Sequence, residues 1–194
     1  MAKHAKVFSK LYADVNGYKI SLKGRKNNNA KEFTYGEIEF DPFIALLSSC
    51  KPNNETVFYD LGSGTGKAVI ACMMVFNVKK SCGIELLMPL HKIAMLQQRR
   101  LAALSDYKKQ ASNIVFKQED LRQADFQDAT LIFINSTTFG NIWPTVCKQV
   151  EQVKAGTTVI TLTRSLESEQ FITLAKTAVK MSWGMVTVFV QYKN

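Results

Sequence analysis

The stretch VFYDLGSGTGKAVI, residues 57–70, decides the fold. Residues 56–60 read as a short apolar strand, and residues 67–76 read as an apolar helix. Between them Gly62, Gly64 and Gly66 let the backbone turn sharply and approach a ligand closely. A helix starting at Lys67 aims its free N–H groups and positive dipole end at that turn. The spacing is GxGxG, not the GxGxxG of dinucleotide sites. It is not a phosphate-cradling P-loop either: no glycine lies five residues before Gly66, and Ala68, rather than Ser or Thr, follows Lys67.

Working outward, strand and helix patterns alternate. Residues 81–85, 113–117, 130–135 and 157–163 read as strands, and 89–104 and 141–153 as helices. Ahead of the glycines, Asp41 is expected to cap a helix with Pro42 at its first position, running to about Cys50. Alternation of this kind predicts an α/β, Rossmann-like parallel sheet covered by helices on both faces. Residues 178–181 and 185–192 read as two strands joined by Ser182-Trp183-Gly184, an antiparallel terminal hairpin. A seven-stranded sheet closed in this way departs from a nicotinamide-binding domain.

Three acids follow three successive strands. Asp60 precedes the glycines, Glu85 ends the second strand, and Asp120 follows the third with Leu121 beside it. S-adenosylmethionine (SAM) carries a zwitterionic methionine, a ribose diol and an adenine, and no pyrophosphate. Asp60 suits its ammonium, Glu85 its ribose hydroxyls, and Asp120-Leu121 its adenine. Ligands of open α/β sheets bind at these strand ends. The glycine spacing and the acids together predict a SAM site.

The chain has 194 residues, 46% of them hydrophobic, enough for a full core. Residues 56–194 are expected to form the methyltransferase core, and residues 1–55 a basic arm, a cofactor-covering loop and a lead-in helix. No secretory signal or membrane span is read, so a cytoplasmic or nuclear protein is expected, with a secreted microbial effector as the other option. Cys50, Cys72, Cys82 and Cys147 lack metal-ligand spacing, and His4 and His91 are the only histidines, so no metal site is expected. The net charge is +9. Residues 1–31 hold Lys3, Lys6, Lys10, Lys19, Lys23, Arg25, Lys26 and Lys31 against Asp14 alone. Such an arm suits nucleic acid or an acidic protein face, although a solvated surface has the same composition. Residues 24–33 read as a loop. His91 is expected to be exposed, and Trp183 to belong to the core.

The fourth strand end reads LIFINSTTFG, residues 131–140, without the Asp/Asn-Pro-Pro-aromatic cluster of base N-methylases. TYGEIEFDPF, FYDLGSGTGKAV, CGIE and FINSTTFG occur in that order. Together they resemble the disruptor-of-telomeric-silencing family of protein-lysine methyltransferases, the histone methylases that lack a SET domain. The resemblance runs over residues 33–139 and more loosely beyond. Its most specific element is Tyr35-Gly36-Glu37.

The resemblance implies SAM as cofactor and a protein lysine, possibly in a histone, as acceptor. Tyr35, Gly36, Glu37 and Ile38 would fold over the methionine part of SAM. Phe58, Asp60, Gly62, Ser63, Gly64, Thr65, Gly66 and Lys67 would line the cofactor, Glu85 would hold the ribose, and Asp120 and Leu121 the adenine. Asn135 would touch the cofactor too, and Tyr35 and Asn135 would position the amine. Tyr35, Ser136 and Phe139 would line the lysine channel. Ile38 stands where many members carry a hydroxyl residue, and Ser136-Thr137 replaces Asn-Phe of the usual motif. The short lead-in implies a compact, microbial member. Transfer needs alignment and water exclusion rather than a strong base, metal or covalent intermediate. The alternatives are a SAM enzyme acting on RNA or a small molecule, an inert binding module, and a nicotinamide-dependent oxidoreductase.

Overall fold

The computed structural model describes residues 1–24 and 36–194. The chain order is α1 (Ala2–Tyr12), α2 (Gly17–Gly24), α3 (Phe40–Ser49), β1 (Val57–Leu61), α4 (Lys67–Phe76), β2 (Lys80–Glu85), α5 (Met88–Ala102), α6 (Lys108–Ala111), β3 (Ile114–Gln118), β4 (Leu131–Ile134), α7 (Trp143–Val150), β5 (Thr158–Leu162), β6 (Phe171–Met181) and β7 (Gly184–Lys193). The seven strands form one sheet in the order β3-β2-β1-β4-β5-β7-β6. β1 to β5 are mutually parallel, while β7 runs antiparallel to both β5 and β6. The expected hairpin is therefore present and closes one edge.

β1 is central and buried along its whole length. Its side chains alternate between two cores. Phe58 joins Phe133, Ile160, α3 and α4 on one face. Tyr59 and Leu61 join Ile132, Ile134 and α7 on the other. α4 is apolar all round because it is buried all round, from Ala68 to Met74. It ends at Asn77 in the left-handed region, which asparagine tolerates. α5 opens with Pro89, whose missing N–H costs nothing in a first turn.

Four expectations need correction. α3 starts at Phe40 with Glu39 as its cap, so Asp41 lies inside the first turn and acts on the dipole instead. The basic amino-terminal segment is helical: α1 buries Phe8, Leu11 and Tyr12 against α3 and α4. Trp183 is 42% exposed at the hairpin tip rather than in the core. His91 is half-buried, not exposed, and burial pulls its pKa below the usual imidazole value. The loop expected at residues 24–33 falls, from residue 25 onward, outside the described residues. No described helix is long and apolar enough to cross a membrane.

Candidate cofactor cleft and acceptor wall

A cleft of about 930 Å³, open solvent at its mouth included, lies over the carboxyl ends of β1, β2 and β4. Its floor is the glycine turn. The N–H groups of Gly62 and Ser63 both donate to the Ile84 carbonyl at 2.9 Å, tying the turn to β2. Gly62, Gly64 and Gly66 have φ of +86°, +54° and +82°, where a side chain is strained. A β-carbon on Gly62 would lie 3.1 Å from the Phe139 ring, so the turn also needs that space.

The two strand-end acids face this floor. Asp60, at 5% exposure, has its pKa pushed up to about 8 by burial and then by the nearby Glu85 charge. Glu85 is buried and its pKa is also raised by burial. Its Oε2 accepts the Gly64 N–H at 2.8 Å and its Oε1 the Leu87 N–H at 2.7 Å. A carboxylate offers about four acceptor positions, so two remain for a diol. Asp120 and Leu121 line a further part of the cleft. The Asp120 carboxylate is gripped by Arg122, with contacts of 2.5 Å and 3.0 Å, which holds its pKa below the usual range.

The opposite wall is Gly36-Glu37-Ile38 with Asn135 and Phe139. Ile38 bridges Met181 of β6, and the Ser182 N–H donates to the Glu37 carbonyl at 3.3 Å. Glu37 pairs with Lys67 at 2.6 Å, both side chains about one-fifth exposed. The Lys67 ammonium stands 5.3 Å from the centroid of the Tyr12 ring, and Tyr12 Oη donates to the Thr65 carbonyl at 3.1 Å. Burial drives the Tyr12 pKa far up, so it stays a donor. Helix α1, the motif segment and the glycine turn thus meet at Lys67.

The cleft brings together Gly36, Glu37, Ile38, Asp60, Gly62, Ser63, Gly64, Thr65, Lys67, Glu85, Asp120, Leu121, Asn135 and Phe139. Tyr35 lies outside the described residues. Three expected site residues sit elsewhere. Phe58 is fully buried in the core, because its position on β1 is too far below the strand end. Gly66 supports packing: a β-carbon there would come within 2.5 Å of the Phe116 ring. Ser136 is fully buried and turns to β5, donating to the Leu162 carbonyl and accepting the Arg164 N–H at 3.2 Å. It therefore does not line a channel. Conversely, Ser21 of α2, Leu87 and Leu90 of the α5 entry, Phe133 and Ile142 line the cleft without having been expected there. The apolar pair Leu86-Leu87 directly after Glu85 was the available signal for part of this wall.

The fold is the Rossmann-like sheet with a terminal antiparallel hairpin that class I SAM-dependent methyltransferases share. Among solved structures of similar fold, an RNA methyltransferase from Salinibacter ruber in complex with S-adenosyl-L-homocysteine is 22% identical. It covers 78% of this chain and 88% of its own, with a TM-score of 0.56. TrmN from Thermus thermophilus is 17% identical over 78% of this chain and 48% of its own, with a TM-score of 0.63. At these identities the likeness concerns the fold. A family model, histone methylation protein DOT1, matches residues 18–191, and the chain belongs to that family. Histone-lysine N-methyltransferases specific for H3 lysine-79 are among its relatives. The Kluyveromyces lactis protein is 33% identical over 89 residues, 46% of this chain. The Debaryomyces hansenii protein is 29% identical over 156 residues, 74% of this chain. The aligned parts are only 16% and 13% of those two relatives' lengths.

The residues present fit SAM, the cofactor of this class. Two buried carboxyls, one of them held protonated near neutrality, and a turn that carries no side chain at Gly62 and Gly64 suit a zwitterion and a ribose. A polyanionic pyrophosphate would meet repulsion there.

Proposed function

We propose that this chain is a protein-lysine N-methyltransferase that takes its methyl group from SAM, with a histone as the acceptor protein. The observation that carries this reading is the wall made by Gly36-Glu37-Ile38, the continuation of Tyr35. It stands over the glycine turn and is stitched to the terminal hairpin. A general SAM-dependent enzyme has no need of such a wall.

In this reading Asp60 receives the methionine ammonium and Glu85 the ribose hydroxyls. Asp120 and Leu121 meet the adenine, and the Gly62–Thr65 turn approaches the methionine chain. SAM, when bound, supplies an electrophilic methyl on a sulfonium. The lysine Nζ lone pair forms the new N–C bond as the S–C bond breaks, and the proton on nitrogen leaves to water. An attacking lysine must be neutral, and its ordinary pKa is about 10.4. Phe139, Ile38 and Ile142 supply apolar surroundings that lower it by desolvation. Asn135, with Tyr35, orients the amine. The reading places the protein in the cytoplasm or nucleus, and has the basic amino-terminal segment contact nucleic acid or an acidic protein face.

The test is incubation with methyl-labelled SAM and, separately, histones, nucleosomes and a cell lysate. Label on protein lysine supports the reading. Label on RNA with none on protein replaces it with the RNA-methylating alternative.

A further inference from the structure

Among the described residues, Lys51, Asn77 and Thr163 have a positive φ without being glycine, and only Thr163 is branched at its β-carbon. Its φ is +71°, a conformation that sterics nearly forbid for such a residue. It follows β5 directly. The Arg164 N–H donates to the Leu162 carbonyl at 2.8 Å, closing a hydrogen bond over Thr163 alone. A bond across one residue at positive φ is the strained form of the γ-turn. Such strain persists only where the surroundings over-determine it.

The surroundings are the turn after β4. Ser136 is fully buried, and its Oγ donates to the Leu162 carbonyl and accepts the Arg164 N–H at 3.2 Å, so it sits in the mouth of the γ-turn. Thr137 Oγ1 and Thr163 Oγ1 share a hydrogen bond at 2.7 Å. Arg164 Nη1 donates to the Gly140 carbonyl at 3.2 Å. From the other side, the Thr163 N–H donates to the Thr187 carbonyl of β7 at 2.8 Å. Residues 162–164 thus grip both ends of residues 136–140 and hold them to the terminal hairpin. The gripped turn carries Phe139 and follows Asn135, and both of these line the cleft. Phe139 in turn crowds Gly62 and stacks on Trp143, with ring centroids 6.4 Å apart. Thr163 itself is exposed and does not line the cleft.

Resting on the lysine-methylation reading above, we infer that Thr163 is a positioning residue for methyl transfer: its strained γ-turn sets the turn after β4, and with it the placing of Asn135 and Phe139 against the acceptor. A glycine would take this φ without strain and keep both backbone bonds. What threonine adds is the hydroxyl that ties Thr137. Transfer depends steeply on placement, since a misplacement of about 1 Å costs roughly a hundredfold in rate.

The experiment compares Thr163→Gly and Thr163→Ser with the wild-type full chain. Glycine relieves the strain and drops the hydroxyl, whereas serine keeps it. Thr163→Gly is expected to melt within about 3 °C of the wild type, relieved strain offsetting the lost bond. It should bind SAM within about threefold of the wild type by calorimetry. The kcat is read with methyl-labelled SAM on whichever macromolecule the wild type labels. It is expected to fall about tenfold in Thr163→Gly with the KM for SAM unchanged, and to stay above about half in Thr163→Ser. A second readout needs no transfer. In a Trp183→Phe background Trp143 is the one tryptophan left. Acrylamide quenching of its fluorescence is expected to rise about twofold with Thr163→Gly, through loosening of the turn, and not with Thr163→Ser. The inference is overturned if Thr163→Gly keeps the wild-type kcat, if SAM affinity falls in step with kcat, if serine loses as much as glycine, or if the quenching is unchanged. Label on RNA alone overturns the lysine reading and leaves this inference to be read on that RNA. Unchanged quenching with label on lysine overturns this inference alone.

Discussion

The Trp183 indole packs directly against Gly36: a β-carbon at residue 36 would sit 2.5 Å from its Cζ3 and 2.8 Å from its Cη2. The motif segment and the hairpin tip therefore share one contact, supported by the Ile38–Met181 bridge beside it. Gly36→Ala is expected to push the segment off the hairpin and weaken SAM binding by about fivefold, roughly 1 kcal/mol. In a Trp183→Ala background the same change should cost little, because the obstacle is gone. Calorimetric titration of the two single variants and the double variant measures this coupling.

Asp60 predicts a pH dependence. Its folded-state pKa of about 8 lies above the ordinary carboxylate value. A raised pKa means that the cofactor-free protein binds a proton that the unfolded chain gives up. Its contribution to stability is complete below the ordinary value and is lost as pH rises through about 8. An incoming ammonium prefers the ionised carboxylate, so SAM binding should release a proton and tighten between pH 6 and pH 8. Calorimetry in buffers of different ionisation enthalpy counts that proton. Asp60→Asn should abolish the release and flatten the profile.

The ion pair between Glu37 and Lys67 is only about one-fifth exposed, so removing either partner leaves a poorly hydrated charge. Lys67→Met or Glu37→Gln is expected to cost about 1–2 kcal/mol in urea denaturation. The double variant should recover part of that loss. Additive losses would mean that the two charges do not interact.

Gly66 separates two jobs that the sequence presents alike. GxGxG suggests three cofactor-facing glycines, yet only Gly62 and Gly64 line the cleft. The third lies under Phe116, at a φ of +82°. Gly66→Ala should therefore destabilise the fold by about 2–4 kcal/mol through left-handed strain and overpacking. Phe116→Leu should relieve the packing part, as thermal unfolding would record.

Much of the parallel core was readable because its signals are local. α4 has the expected bounds, β1 and β4 differ from expectation by a residue at each end, and β2 by one residue at its start. The acids at strand ends were readable for the same reason, since topology brings successive strand ends together. What stayed hidden depended on side-chain direction. Ser136 sits beside Asn135 in sequence, but the turn after β4 points it into β5. Phe58 is two residues before Asp60, and that distance along a strand puts it well below the cleft. β6 extends back to Phe171 because it is an edge strand exposed over residues 172–178, with no alternation to mark it. α1 carried a helical signal in Phe8, Leu11 and Tyr12, masked by the lysines around them.

The measurement that bears most directly on the central claim is a comparison of the wild-type chain and Glu85→Ala after incubation with deuterated-methyl SAM and nucleosomes. Peptide mass spectrometry reads the modified atom. The account predicts deuterated methyl groups on lysine Nζ of a histone with the wild type. It predicts a loss of at least about tenfold with Glu85→Ala, whose folded spectrum should be unchanged, because the ribose acceptor is gone. Equal labelling by both proteins, or deuterium in nucleic acid with none on lysine, would contradict it.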